Sequence, residues 1–272
     1  MGKGGMSFGD KESKDEIEIK ENMAAWLLAV KNLQIQPYNL PPPGPRDVKV
    51  RVKAVGICGS DVHHFKPSED SGSDRVALEP GVSCRHRNLC KDGLYNLCKE
   101  MKFFGSPPTN GSLANQVVFP ANLCFKLPQN VSLEEGAMCE PLSVGVHACR
   151  RANIGPDTEI LIMGAGPIGL VTMLATRAFG SPKIVITDVD AQRLSFAKDL
   201  GAEEIIQVST YKEIDIIGIF RYRNTWPLCI ELLRTGKLDV KPLITHRFSF
   251  NQEDVEKAFE TSARGGNAIK VM

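Results

Sequence analysis

A chain of 272 residues suggests one large or two ordinary domains, and an apolar share of 42% is that of a globular protein with a sizeable core. Its 33 Lys and Arg nearly cancel its 32 Asp and Glu, so no overall charge draws it to nucleic acid or to a membrane surface, and neither is expected as a partner. No apolar run approaches the ~20 residues that span a bilayer.

The first 22 residues, MGKGGMSFGDKESKDEIEIKEN, are polar and mixed in charge and lack the apolar centre of a signal peptide. A disordered tail and a cytoplasmic location are expected. In that compartment eight cysteines imply free thiols or metal ligands rather than disulfides. From Met23 to about Gly145 the chain reads as short strands and turns. "DVKVRVKAVGIC" alternates apolar and charged residues with period two, "YNLPPPGPRD" before it is a proline-stiffened loop, and "GSLANQVVFPANLCFKLP" gives two further strand-like runs divided by Pro120. The expectation is a small barrel-like β domain.

Two clusters in this half carry possible chemistry. Cys58 sits in a Gly-flanked turn with Ser60, Asp61, His63 and His64 close behind. On residue type alone, a single buried Cys is more often packing than ligand, a turn Ser often caps backbone, and His63 reads as a surface residue. Cys84, Cys90 and Cys98 form a thiol-rich lobe of the kind that holds a structural zinc, which wants four ligands in a tetrahedron. The place at C-x₂-C spacing from Cys84 is Arg87, a fixed cation that opposes a metal. His86 completes a Cys₃His set if the backbone turns by one residue; otherwise the three are reduced thiols in a loop.

From about Ile154 the period changes. "TEILIMGAG", "GLVTMLATRAFG", "KIVITDVD", "AQRLSFAKDLG" and "EEIIQVS" read as strand, helix, strand, helix and strand, one mononucleotide-binding half of a doubly wound sheet. "IDIIGIFR" and the helical "NTWPLCIELLRTGK" follow, and the chain closes with a helix and a strand. Gly164-Ala165-Gly166-Pro167-Ile168-Gly169 matches G-x-G-x-x-G in the context that gives the motif meaning: after an apolar strand, opening a helix, with Asp188 about 20 residues on. Gly164 permits the tight turn, Gly166 lets pyrophosphate approach the backbone, and Gly169 lets the helix pack on the strand. Asp188 would accept from the adenosine ribose hydroxyls and repel a 2′-phosphate, favouring NAD over NADP; its other reading is a helix N-cap. Arg193, one turn further, either flanks the adenosine or lies on a solvated helix face.

Together "VGICGSDVHH", "DRVALEPG", "CKDGLYNLC", "GSLANQVV", "EGAMCEPLSVGVHACRRANI", "LIMGAGPIGLV", "FRYRNTWPLC" and "SARGGNAIKVM" resemble the zinc-containing medium-chain dehydrogenases, in particular plant sorbitol (polyol) dehydrogenases. The resemblance covers nearly all of Met23 to Met272. It implies an α/β protein: a GroES-like β-rich catalytic domain (23–148, completed by 244–272) joined to a shortened Rossmann domain (149–243), with zinc and substrate in the cleft between them. By position, Cys58 and Glu140 match catalytic zinc ligands, Ser60 the hydroxyl that relays the alcohol proton, Asp61 a supporting group, and His64 a pocket wall. Arg221 and Tyr222 match polyol contacts, and Phe220 lies near the cofactor. The implied activity is oxidation of a polyol to a ketose, with zinc as Lewis acid and hydride passing to NAD, in a protein whose relatives are homo-oligomers.

Two blocks of the pattern are absent. Between Phe65 and Asp74, "KPSEDSGS" stands where relatives carry a Gly-His-Glu segment with two further zinc-site residues. Cys58 and Glu140 alone fall short of the three protein ligands a catalytic zinc uses, so weakened zinc binding and reduced turnover are expected. After Ser209, "TYKE" leads directly into "IDIIGIF". A return across the sheet would need ~22 Å, against ~20 Å for about six extended residues, so "EILIMG" is expected near an exposed edge. The alternative to an active enzyme is a catalytically silent shortened form with at most partial dinucleotide binding.

Overall fold

The structure is a computed structural model that describes residues 21–29, 32–57, 74–208 and 221–272. Cys58, Ser60, Asp61, His63, His64, Phe220 and both shortened junctions lie outside the described residues. In chain order the first lobe comprises β1 (Met23–Ala29), β2 (Asn32–Pro37), β3 (Asp47–Arg51), β4 (Val76–Leu78), β5 (Gly81–Val82), a short helix α1 (Asn88–Lys91), β6 (Lys102–Phe103), β7 (Gln116–Pro120) and β8 (Cys124–Lys126). The pairs β1–β2, β3–β7, β4–β8 and β5–β6 are all antiparallel. In β7 the period-two pattern places Val117 and Phe119 in the core, with Phe104 against Phe119. Asn22, which the sequence pattern assigns to the tail, is part of this lobe: its amide donates to Tyr38 O and accepts from Gln116 N.

The segment before Gly145 is helical rather than strand and turn. Helix α2 (Leu133–Ala137) opens with a capping box in which Ser132 Oγ accepts from Glu135 N and Glu135 Oε2 accepts from Ser132 N, and α3 (Cys139–Arg151) follows. The period-3.6 signal is present in the sequence: Cys139, Leu142, Val146 and Cys149 share one fully buried face.

The second lobe runs β9 (Glu159–Met163), α4 (Pro167–Ala178), β10 (Lys183–Asp188), α5 (Ala191–Asp199) and β11 (Glu204–Gln207). The strands form a parallel sheet of order β11-β10-β9, the expected mononucleotide-binding half. Then come α6 (Trp226–Arg234), β12 (Ile244–His246), α7 (Gln252–Arg264) and β13 (Lys270–Val271), with β12 parallel to β13. This last stretch returns to the first lobe. Ile57 N donates to Val271 O at 2.8 Å, Gln252 Nε2 donates to Leu33 O, and Val255 packs on Leu33.

Two packing features position the site. A Cβ on Gly145 in α3 would lie 2.9 Å from both Thr172 N and Thr172 Cα, so the backbones of α3 and α4 touch there. Strand β9 has one sheet neighbour among the described residues. Its Ile162 lies beneath α4, while Leu161 and Met163 on the opposite face are 53% and 62% exposed, as expected of an apolar edge.

Replacing Leu161 and Met163 together by Thr is expected to suppress aggregation, read by light scattering, while changing unfolding stability by less than ~1 kcal/mol. Ile186→Ala, at a fully buried position of β10, should instead cost ~2–5 kcal/mol in urea unfolding.

Candidate functional site: a glycine loop, a carboxylate cleft and a thiol lobe

At the end of β9 the chain turns through Gly164, whose φ of +103° is accessible to glycine with little strain, and Gly164 N donates to Thr187 O at 2.7 Å. Gly166 is the N-cap of α4, no side chain caps that terminus, and Pro167 occupies its first turn. A Cβ at Gly164 or Gly166 would meet nothing within 4 Å, so the loop leaves the room a pyrophosphate needs beside the helix N-terminus. A Cβ at Gly169 would lie 1.8 Å from Gly164 O, so this glycine sets how closely α4 packs. Ile168 is exposed on the first turn.

Asp188 ends β10 and is buried. Its Oδ2 accepts from Ala165 N at 2.7 Å and its Oδ1 from Asp190 N at 2.9 Å, so the carboxylate clasps the glycine loop and keeps further lone pairs for a ligand. The helix cap is Asp190, which accepts from Gln192 N and Arg193 N; the N-cap reading of Asp188 does not hold. Arg193 is half-buried, its guanidinium against Gly265.

Within the β-rich lobe lies a cavity of ≈ 1440 Å³, whose walls include Gly56, Phe103, Glu140 and Lys270, with Trp226 entering from α6. Glu140 stands in the first turn of α3, where the helix dipole favours a carboxylate. The Tyr222 hydroxyl is held well above the ordinary tyrosine value, by burial first and then by the nearby Glu140 carboxylate. Tyr222 Oη lies beside the Glu140 carboxylate, and Thr225 Oγ1 and Trp226 Nε1 are buried without a hydrogen-bond partner among the described residues; of the three residues, Trp226 lines the cavity. Arg221 adopts φ +53° and sets its guanidinium over the Phe103 ring, 4.6 Å from the centroid. Sequence reasoning missed two lining residues. Trp226 stacks on Phe125, and Lys270 is a buried lysine packed over Gly56; the signal for each lay inside a recognised segment, "NTWPLC" and "GGNAIKVM".

The turn that carries Arg221 and Tyr222 is fastened to the cysteine lobe. Tyr95 Oη accepts from Asn224 N at 2.8 Å and donates to Glu79 Oε1 at 2.9 Å, while Arg223 donates to Gly93 O. Burial raises the Glu79 carboxyl above its ordinary value despite the Tyr95 bond. In the lobe, Cys84, Cys90 and Cys98 bring their sulfurs within 4.8 Å of one another, with Cys84 Sγ 3.6 Å from Cys90 Sγ. Partial burial pushes the Cys84 thiol up, but backbone N–H groups of Arg87 and His86 and the neighbouring thiols outweigh it and bring it to about 7. Arg85 turns the backbone with φ +64°, yet His86 directs Nδ1 to Cys84 O and lies near Glu100 rather than completing the sulfur triangle. Arg87 pairs with Glu100. The lobe therefore assembles three of the four donors a tetrahedral zinc uses.

The alcohol dehydrogenase GroES-like domain family matches residues 70–129. The chain is 56% identical to L-idonate 5-dehydrogenase of Vitis vinifera and 52% identical to sorbitol dehydrogenase of Arabidopsis thaliana, each alignment covering 100% of this chain and 99% of the relative. The chain belongs to the medium-chain dehydrogenase family, on the branch that includes plant sorbitol dehydrogenase. Both alignments run over 365 positions against 272 residues here, so family positions are skipped within the chain. The fold is likewise similar to that of an Escherichia coli oxidoreductase/dehydrogenase of unknown specificity involved in membrane biogenesis, with a TM-score of 0.82 and 28% identity over 93% of this chain and 98% of that one. In this family the β-rich first lobe is the GroES-like domain and the parallel sheet is the Rossmann half. No helix among the described residues is long and apolar enough to cross a membrane.

Gly166→Val is expected to leave the melting temperature nearly unchanged and to weaken NADH binding at least ~100-fold, because its side chain takes the space left for phosphate. Gly169→Ala should instead lower stability by ~1–3 kcal/mol through its clash with Gly164 O, as urea unfolding would register.

Proposed function

We propose that this protein oxidises a polyol or a related sugar acid alcohol to its ketone, transferring hydride to NAD. The observation that carries the reading is the identity of more than half to sorbitol and L-idonate dehydrogenases along the whole chain, together with the placing of Glu140 in a cavity wall and beside Tyr222. The relatives' names give no support to a catalytically silent form.

In this reading NAD lies on Gly164, Gly166, Ile168 and Gly169, with Asp188 at the adenosine ribose, Arg193 flanking the adenosine and Phe220 near the cofactor. Both carboxylate oxygens of Asp188 already accept from backbone N–H groups, which orients the side chain and supports selection against a 2′-phosphate. Cys58 and Glu140 would hold the catalytic zinc, which when bound supplies Lewis acidity toward the alcohol. Ser60 passes the alcohol proton toward solvent. His64 walls the pocket, while Arg221, fixed by Phe103, and the buried Tyr222 orient substrate hydroxyls. The Tyr222 phenol stays protonated and so remains a donor. Cys84, Cys90 and Cys98 supply three of the four donors that a structural zinc would use, with Arg87 at the fourth place. The division into 23–148 with 244–272 and 149–243, and a cytoplasmic location, belong to the same proposal.

The test is NADH formation with sorbitol and with L-idonate in the zinc-supplemented protein. Turnover is expected with at least one of them. Glu140→Gln should lower kcat at least ~100-fold with NADH affinity unchanged. Absence of turnover with both substrates and a series of other polyols would overturn the reading. Arg87→Cys supplies a fourth thiol and should raise bound zinc by about one ion per chain, measured by atomic absorption.

A further inference from the structure

A second cavity, of ≈ 550 Å³, opens where the C-terminal end of α3 meets the Arg223–Asn224 turn, and no residue of the glycine loop or of the Glu140 cleft lines it. We propose that this pocket binds the phosphoryl group of a small phosphate ester. Its polar walls are Arg150 and Arg151 from α3, Arg223 from the turn, and His147, with Asp92 as the one carboxylate.

Three arginines from two elements line one concavity, and their positive charge favours an anion there. None of the three makes an ion pair with a carboxylate among the described residues. Arg150 donates to Asn224 O and Arg223 to Gly93 O. Each bond uses part of a five-donor fork and fixes the guanidinium, leaving the remaining N–H groups for a ligand. The carbonyl end of α3 accounts for tolerance of Arg150 and Arg151 in its last turn, but not for Arg223, which comes from a separate segment.

His147 supplies the buried wall. It is 4% exposed, and its imidazole is held below the ordinary value by burial first and then by the positive charges of Arg223, Arg151 and Arg150. A fixed planar fork of this kind matches tetrahedral oxyanions with paired hydrogen bonds. The volume lies in the range of sites for small organic ligands and exceeds what a bare phosphate fills, which favours an ester. Because Asn224 and Arg223 directly follow Tyr222, an anion seated here would stiffen the turn that carries the proposed substrate contacts. The inference does not depend on the dehydrogenase reading.

The test is isothermal titration of the full chain with inorganic phosphate and with glycerol phosphate, against chloride at equal ionic strength. The parent should bind saturably, and Arg150→Gln/Arg151→Gln should weaken binding at least ~tenfold with an unchanged circular dichroism spectrum. Gly166→Val should keep the binding, which separates this pocket from the glycine loop. The His147 ring proton should shift in NMR on addition of phosphate. Tighter binding of glycerol phosphate identifies an ester and equal binding the free ion; either upholds phosphoryl recognition. No saturable binding beyond chloride, equal binding in the double variant, or loss in Gly166→Val alone would overturn it.

Discussion

Everything in the site hangs on one close approach, the contact of α3 and α4 at Gly145. Helix α3 carries Glu140 in its first turn, and α4 begins at the glycine loop. Their spacing sets how far the cleft carboxylate stands from the place where a pyrophosphate would sit. With a Cβ at residue 145 falling 2.9 Å from the α4 backbone, the pair is packed at a separation only glycine allows. Leu142, Val146, Leu170, Val171 and Met173 bury the rest of that interface in the largest core cluster, which also takes in Trp226 and the C-terminal Met272. The two lobes therefore share one core.

The second determinant is how the turn from Arg221 to Asn224 is held. Two of its residues have positive φ without being glycine, a conformation that persists only where the surroundings impose it. Tyr95, Gly93, Glu79 and Phe103 impose it from the cysteine lobe and its flanking strands, and Arg150 from α3. The thiol lobe therefore does more than decorate the surface: it anchors the segment that leads into Trp226 on the cavity wall. Its three sulfurs already lie close together, and the position a fourth cysteine would take is spent on the Arg87–Glu100 pair. A lobe with one donor fewer should grip a metal less firmly and lean more on the Tyr95 bonds for its shape.

Much of this was legible in the sequence. The parallel βαβαβ unit, the glycine loop and the placement of Asp188 followed from period and motif, because each rests on local backbone requirements that few other residues satisfy. The helices at 133–151 were misread as strand and turn, although the Ser132–Glu135 capping box and the buried stripe from Cys139 to Cys149 were both present; apolar residues interrupted by Pro141 and Gly145 imitate a broken strand pattern. Asp188 was seen as a ribose acceptor, but its clasp on Ala165 N depends on a tertiary contact that no spacing encodes. Lys270 and Trp226 enter the cavity from segments far apart in sequence, and His86 stands with Cys84 and Glu100 rather than with all three sulfurs, its Nδ1 at the Cys84 carbonyl. The edge position of β9 is legible in the short reach of the residues after Ser209, and the exposure of Leu161 and Met163 accords with it.

The account is tested most directly by nicotinamide fluorescence titration of NADH into the parent chain and into Gly145→Val. It predicts saturable binding by the parent and markedly weaker binding by a variant that keeps its secondary structure, because the enlarged side chain drives α3 and α4 apart. No binding by the parent, or equal binding by the two, would contradict it.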